Sequence, residues 1–145
     1  MKITSTFIEL DTGDGISLHD IMSDIEAAVA QSGIKTGFVT VTSQHTTTAI
    51  AVNENEERLI EDVKRFLTRL IPPGEHYLHN DIALRDCPDD EPENAHSHLA
   101  AMLLGSSEVI GLVEGELVLG QYQSVILFEL DGPRRRRLNL QIYGE

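Results

Sequence analysis

Cysteine is nearly absent from this chain: Cys87 stands alone among 145 residues. A single thiol excludes an intrachain disulfide, which fits a reducing compartment. Cys87 lies in Arg85-Asp86-Cys87-Pro88-Asp89-Asp90, where neighbouring carboxylates disfavour a thiolate, so it is an incidental loop cysteine rather than a nucleophile. Basic residues are scarce too, with 11 Lys and Arg against 24 Asp and Glu, for a formal net charge of -13. Neutralising a phosphate backbone or an anionic bilayer needs clustered cations, so this balance argues against non-specific contact with nucleic acid or membrane. No uninterrupted apolar run approaches the ~18 residues of a membrane span, and no basic and apolar leader opens the chain. These absences predict a soluble, cytoplasmic protein.

What is present suffices for one core. The length suits a single domain over residues 1–145, and 41% of the residues are hydrophobic. Lys2 to Leu10 alternates like a strand and ends in the turn residues Asp11 to Gly15. Ser17-Leu18-His19-Asp20 reads as a helix start, followed by apolar Ile21, Met22, Ile25, Ala28 and Val29 and stopped by Gly33. That reading leaves His19 on the surface. Gly37–Ser43 and Thr46–Val52 are β-branched runs, two strands or one bent strand, with His45 at their junction where a bend would aim its ring into a cleft.

Asn53 with Glu56 three residues on is an N-cap signature for a second helix, whose stripe is Leu59, Ile60, Val63, Phe66, Leu67 and Leu70. Pro72-Pro73-Gly74 ends it. From Pro72 to about Glu93 no period holds, and so long a loop is usually functional or disordered. Ala95–Leu104 reads as a short helix closed by Gly105. Four strands follow, Glu108–Val113, Glu116–Leu119, Ser124–Leu130 and Arg137–Tyr143, the first two joined by a hairpin turn at Glu114-Gly115. This order is not an alternating βαβ pattern. Its meander-like last four strands predict an α+β fold built mainly on antiparallel sheet.

Five of six histidines fall in three segments: His45, then His76 and His79, then His96 and His98. Imidazole is the commonest metal ligand and exchanges protons near neutral pH, so a gathering of this kind is what a metal or acid–base site requires. Two histidines three apart also occur on solvated loops. Near the end, Asp131-Gly132-Pro133-Arg134-Arg135-Arg136-Arg137 concentrates four of the eleven basic residues. If the run is a strand, alternation sends Arg134 and Arg136 to one face, toward a phosphorylated ligand, and Arg135 and Arg137 to the other. The bland reading is a basic stretch that balances the chain's own acids.

The ordered set Ser43-Gln44-His45-Thr46-Thr47-Thr48, Asn53-Glu54-Asn55, Tyr77-Leu78-His79, Asn94-Ala95-His96-Ser97-His98, Leu103-Leu104-Gly105-Ser106-Ser107, Leu119-Gly120-Gln121-Tyr122-Gln123 and Phe128-Glu129-Leu130-Asp131-Gly132-Pro133-Arg134 closely resembles the YjbQ family. This family is also called the secondary thiamine-phosphate synthase family, and the resemblance covers essentially the whole chain. It implies an antiparallel β-sandwich of jelly-roll-like character with flanking helices, assembled as a homotrimer with sites at or near subunit boundaries. The implied activity joins an aminopyrimidine pyrophosphate to a thiazole phosphate and releases pyrophosphate, as a main or a secondary role.

His45, His79 and His98 occupy the family's histidine positions and become the metal or catalytic candidates; His76 and His96 match none. Thr46, Thr47, Asn53, Gln123, Arg134 and Arg136 become the candidates for contact with a small phosphorylated metabolite. Three histidines suit zinc with an open position better than magnesium, which prefers oxygen ligands. That preference opens an alternative, a zinc-dependent hydrolase of a small phosphorylated or cyclic metabolite in which Glu54 or His96 handles the proton. A non-catalytic trimeric binding protein is the third class. The family pattern is broken at Tyr122, where tryptophan is frequent, and the loop between His79 and Asn94 is of a variable type.

Overall fold

The computed structural model describes residues 1–145. Eight strands and three helices follow in order: β1 Lys2–Asp11, β2 Gly15–Asp20, α1 Met22–Ser32, β3 Gly37–Ser43, β4 Thr48–Asn53, α2 Glu57–Leu70, α3 Ala95–Leu104, β5 Ser107–Val113, β6 Glu116–Leu117, β7 Ser124–Gly132 and β8 Arg135–Gly144. Between α2 and α3 lie two single turns of 3-10 helix, Leu78–Asn80 and Ile82–Leu84. No helix is long and apolar enough to cross a membrane.

The strands form a five-stranded sheet in the order β1-β8-β3-β5-β6 and a three-stranded sheet in the order β2-β7-β4. Every pairing is antiparallel. Alternation explains how they stack. Val39 and Val41 of β3 and Leu138, Leu140 and Ile142 of β8 meet Ile50 of β4 and Val125 and Leu127 of β7, while α1 adds Ile25 and Val29. The opposite parity of β7, Ile126, Phe128 and Leu130, packs on Leu67 of α2 and on Ala100 and Ala101 of α3. The result is an α+β sandwich whose smaller sheet is buried on both faces, which is why β7 reads as an almost unbroken apolar run.

Four local expectations change. Ser17–Asp20 is strand β2, not the start of α1, because Leu18 pairs opposite Phe128 and joins the outer cluster; Asp20 then accepts the Met22 N–H at 2.9 Å. His19 is therefore half-buried on a strand, with its Nε2 at 2.8 Å from the Ser17 hydroxyl. Glu56, not Asn53, caps α2, accepting the Arg58 and Leu59 N–H groups. The last four strands do not meander, since β7 lies in the small sheet and β8 in the large one between β1 and β3. The chain changes sheets at the cis Gly132–Pro133 bond.

The hairpin between β5 and β6 holds Glu114 at φ 55 and Gly115 at φ 84. Both central residues are left-handed, as a two-residue turn of this hand requires, and Glu114 carries the steric penalty of a side chain there. Glu114→Asn is expected to raise stability by about 1 kcal/mol, read as a higher urea midpoint. An unchanged midpoint would show that the turn carries no such penalty.

Candidate functional site

The site is built where the chain leaves the large sheet at Ser43 and joins the small one at Thr48. The crossing is tied down at each step. The hydroxyls of Ser43 and Thr48 are 2.5 Å apart, and the His45 N–H donates to Ser43 Oγ at 3.2 Å. The Thr47 carbonyl accepts the Leu130 N–H at 3.1 Å. On the other side, His45 Nε2 accepts the Arg137 backbone N–H at 2.9 Å. The ring of His45 is thus fixed against β8.

Beneath the crossing lies a buried ion pair that short-range reading of the sequence does not reveal. Glu129 shares the inward parity of Val125 and Leu127, and Arg136 that of Leu138 and Leu140, so the two meet inside the sandwich. Arg136 Nε reaches Glu129 Oε2 and Nη2 reaches Oε1, both at 2.6 Å, with residue exposures of 4% and 0%. Thr12 donates to Oε2 at 2.6 Å and the Asp131 N–H to Oε1 at 2.9 Å. Burial pushes the Glu129 carboxyl up, but these hydrogen bonds and the Arg136 charge outweigh it and hold the group below the usual range. Arg136 also donates to the Thr47 hydroxyl at 2.8 Å, which links the pair to the crossing.

A cleft of about 520 Å³ opens beside the crossing, lined by Ser43, His45, Thr46, Thr48, His98 and Ser106 among others. The imidazoles of His45 and His98 share it, one from the crossing and one from α3. Burial pushes both below the ordinary histidine value, helped by Arg136 at His45 and by His79 at His98. The lowering favours the neutral form of both rings at pH 7. His79 comes from the 3-10 turn that is bound to α3 where Asn80 accepts the Ala95 N–H at 3.1 Å, and its ring centroid lies 4.7 Å from that of His98.

The pairs His45/His98 and His79/His98 are therefore brought together. A closed set of three is not, because no group of three or more His, Cys, Asp or Glu side chains is arranged to hold a metal, and His45 Nε2 already accepts a backbone N–H.

The remaining candidates scatter. Thr46 lines the cleft, whereas Thr47 is buried and serves Arg136. Asn53 and Glu54 line a separate apolar cavity of about 230 Å³ under α2, so Glu54 is not placed to exchange a proton in the histidine cleft. His96, two residues from His98 on α3, turns to a third cavity with Leu67, Ile71 and Leu130, and its buried Nδ1 has no partner. Gln123 accepts the Gly120 N–H at 2.7 Å in its own turn. His76 pairs with Asp81 in solvent.

The arginine expectation is corrected as well. Arg134 precedes β8 and binds the carbonyl and carboxylate of Asp131, and Arg136 is committed to Glu129, so the two do not point together into the cleft. Arg135 and Arg137 stand on the outer face near Glu9 and Asp11. The missed residue is Glu129. Its signal was a single carboxylate inside the apolar run Val125-Ile126-Leu127-Phe128-Glu129-Leu130, seven residues before an arginine.

Fold and cleft together define an antiparallel sandwich protein with a histidine-lined crossover site. The chain belongs to the YjbQ family, matching the family described as UPF0047 protein YjbQ-like over residues 6–145. It is 37% identical to a UPF0047 protein of Methanothermobacter thermautotrophicus across 100% of this chain and 95% of that one. Among solved structures, a YbjQ-like protein of unknown function from Sulfolobus solfataricus superposes with a TM-score of 0.90 at 37% identity, covering 99% of each chain. A hypothetical protein from Aeropyrum pernix gives a TM-score of 0.87 at 36% identity over 100% of both.

Proposed function

We propose that the crossover cleft binds a small phosphorylated metabolite, and that the protein joins an aminopyrimidine pyrophosphate to a thiazole phosphate with release of pyrophosphate. The observation that carries this reading is the meeting of two imidazoles, His45 and His98, in one cleft lined with hydroxyl groups. In the proposed step the thiazole nitrogen pair forms the new C–N bond while the C–O bond breaks and its pair departs with pyrophosphate. A neutral imidazole N–H beside that oxygen stabilises the charge as it develops. The hydroxyls of Thr46 and Ser106 offer further donors to phosphate oxygens.

No lysine or arginine lines the cleft within one chain. A homotrimer would supply the missing charge, because Arg134, Arg135 and Arg137 have exposed guanidinium groups that a neighbouring copy's cleft can use. Exposed Ile3, Phe7, Phe38 and Val109 on the outer face of the large sheet support such an assembly. A cytoplasmic setting suits the lone free thiol.

The test is formation of thiamine phosphate and pyrophosphate from the two precursors. His98→Asn and His45→Asn should each lower turnover about a hundredfold with folding intact. Binding of the precursors without turnover would reduce the protein to a binding module. A monomer mass by light scattering over a wide concentration range would remove the trimer from the proposal.

A further inference from the structure

We infer that His45 is locked in the tautomer with its proton on Nδ1, so that it presents a donor to the cleft and takes an anionic or carbonyl oxygen there, with Arg136 and Glu129 as positioning residues. One partner of the His45 ring has no choice of role. A backbone N–H can only donate, and the Arg137 amide lies 2.9 Å from His45 Nε2. Nε2 must then carry the lone pair, and the one proton of the neutral ring sits on Nδ1. No protein group bonds Nδ1, and the ring lines the cleft. Free histidine in water favours the other tautomer, so the amide sets this one.

The contact has two halves, and one buried pair holds both. The amide belongs to the residue after Arg136, whose guanidinium is clamped by Glu129. The ring belongs to the crossing that Arg136 grips through the Thr47 hydroxyl at 2.8 Å. A second proton on the ring would place an N–H against an N–H and face the Arg136 charge; burial first and the Arg136 charge after it hold the ring's pKa below the ordinary value, against the opposing effects of the Arg137 contact and Glu129.

The chemical consequence is selective. His45 is a hydrogen-bond donor toward the ligand and neither its acid nor its base, and its ligand atom is an acceptor, such as a phosphate, carboxylate or carbonyl oxygen rather than an ammonium. In the proposed reaction, on which this assignment of the oxygen rests, the acceptor is the departing pyrophosphate, and any base in the cleft is His98.

The full-length protein labelled with ¹⁵N-histidine tests this by long-range ¹H–¹⁵N correlation at neutral pH, with His45 assigned by its loss in His45→Asn. The expected pattern is a protonated Nδ1 and a lone-pair Nε2, with added pyrophosphate moving Nδ1 and leaving Nε2 in place. A protonated Nε2, or no response of Nδ1 to pyrophosphate, overturns the inference. Thr47→Val leaves the ion pair whole but cuts its link to the crossing, and should turn the single tautomer into a mixture that Thr47→Ser does not show. If Thr47→Val does not fold, Arg136→Lys serves the same purpose. A single Nδ1–H tautomer persisting in the folded variant overturns the positioning role. An Nδ1 response without turnover would defeat only the proposed reaction.

Discussion

Glu129→Gln is expected to lower the free energy of unfolding by about 3–5 kcal/mol, a large part of the roughly 5–15 kcal/mol that stabilises a domain of this kind. The amide keeps the shape of the carboxylate but leaves the Arg136 charge buried without its counterion. Arg136 is 4% exposed and so has no water to turn to. Urea unfolding at neutral pH measures the loss, and a change under about 1 kcal/mol would mean that the pair is not desolvated as described. The double variant Glu129→Leu/Arg136→Met should recover most of the deficit, because two apolar side chains carry no desolvation cost.

Acid distinguishes the same species. Hydrogen bonds and the Arg136 charge overcome the effect of burial and depress the folded-state pKa of Glu129 below its ordinary 4.5. A depressed carboxyl contributes fully above its unfolded pKa and loses that contribution as pH falls through the folded value. Wild-type stability should therefore decline below about pH 4.5, and the double variant should decline less.

Gly132→Ala is expected to cost about 3 kcal/mol. A Cβ at that position would stand 2.0 Å from the Gly13 carbonyl oxygen and 2.8 Å from Glu129 Cγ. Neither neighbour yields cheaply. Gly13 is held by its N–H bond to Ser17 Oγ at 3.1 Å, and Glu129 is clamped by Arg136 and Thr12. Gly120→Ala is the comparison, since its new Cβ would meet the flexible Gln123 Oε1 at 3.3 Å. Equal urea midpoints for the two variants would refute the crowding at Gly132.

The elements that the sequence revealed best are those whose signals lie within one turn of themselves. Ala95–Leu104 closes at Gly105 because helix period and stop signal are adjacent, and the Glu114-Gly115 turn is written in two residues. Ser17–Asp20 misled for the opposite reason. Its cap-like composition suits a helix start, but the backbone pairs with β7, whose sequence lies more than a hundred residues away. The arginine run misled because alternation holds only inside a strand: Arg134 lies before the first strand residue, Arg135, and so does not share the inward face of Arg136.

Taken by itself, the sequence determined the antiparallel α+β class, the placement of His45 at a strand junction and, through its ordered motifs, the YjbQ family. These rest on periodicity, turn chemistry and residue order, which are local. Only the tertiary structure decided that His45 and His98 share a cleft while Glu54 and His96 face other cavities, and that Arg136 belongs to Glu129 instead of a ligand. The physical reason is that a buried charge must find its counter-charge inside the sandwich, and which residues meet there is set by how two sheets stack, a relation no short window of the chain contains.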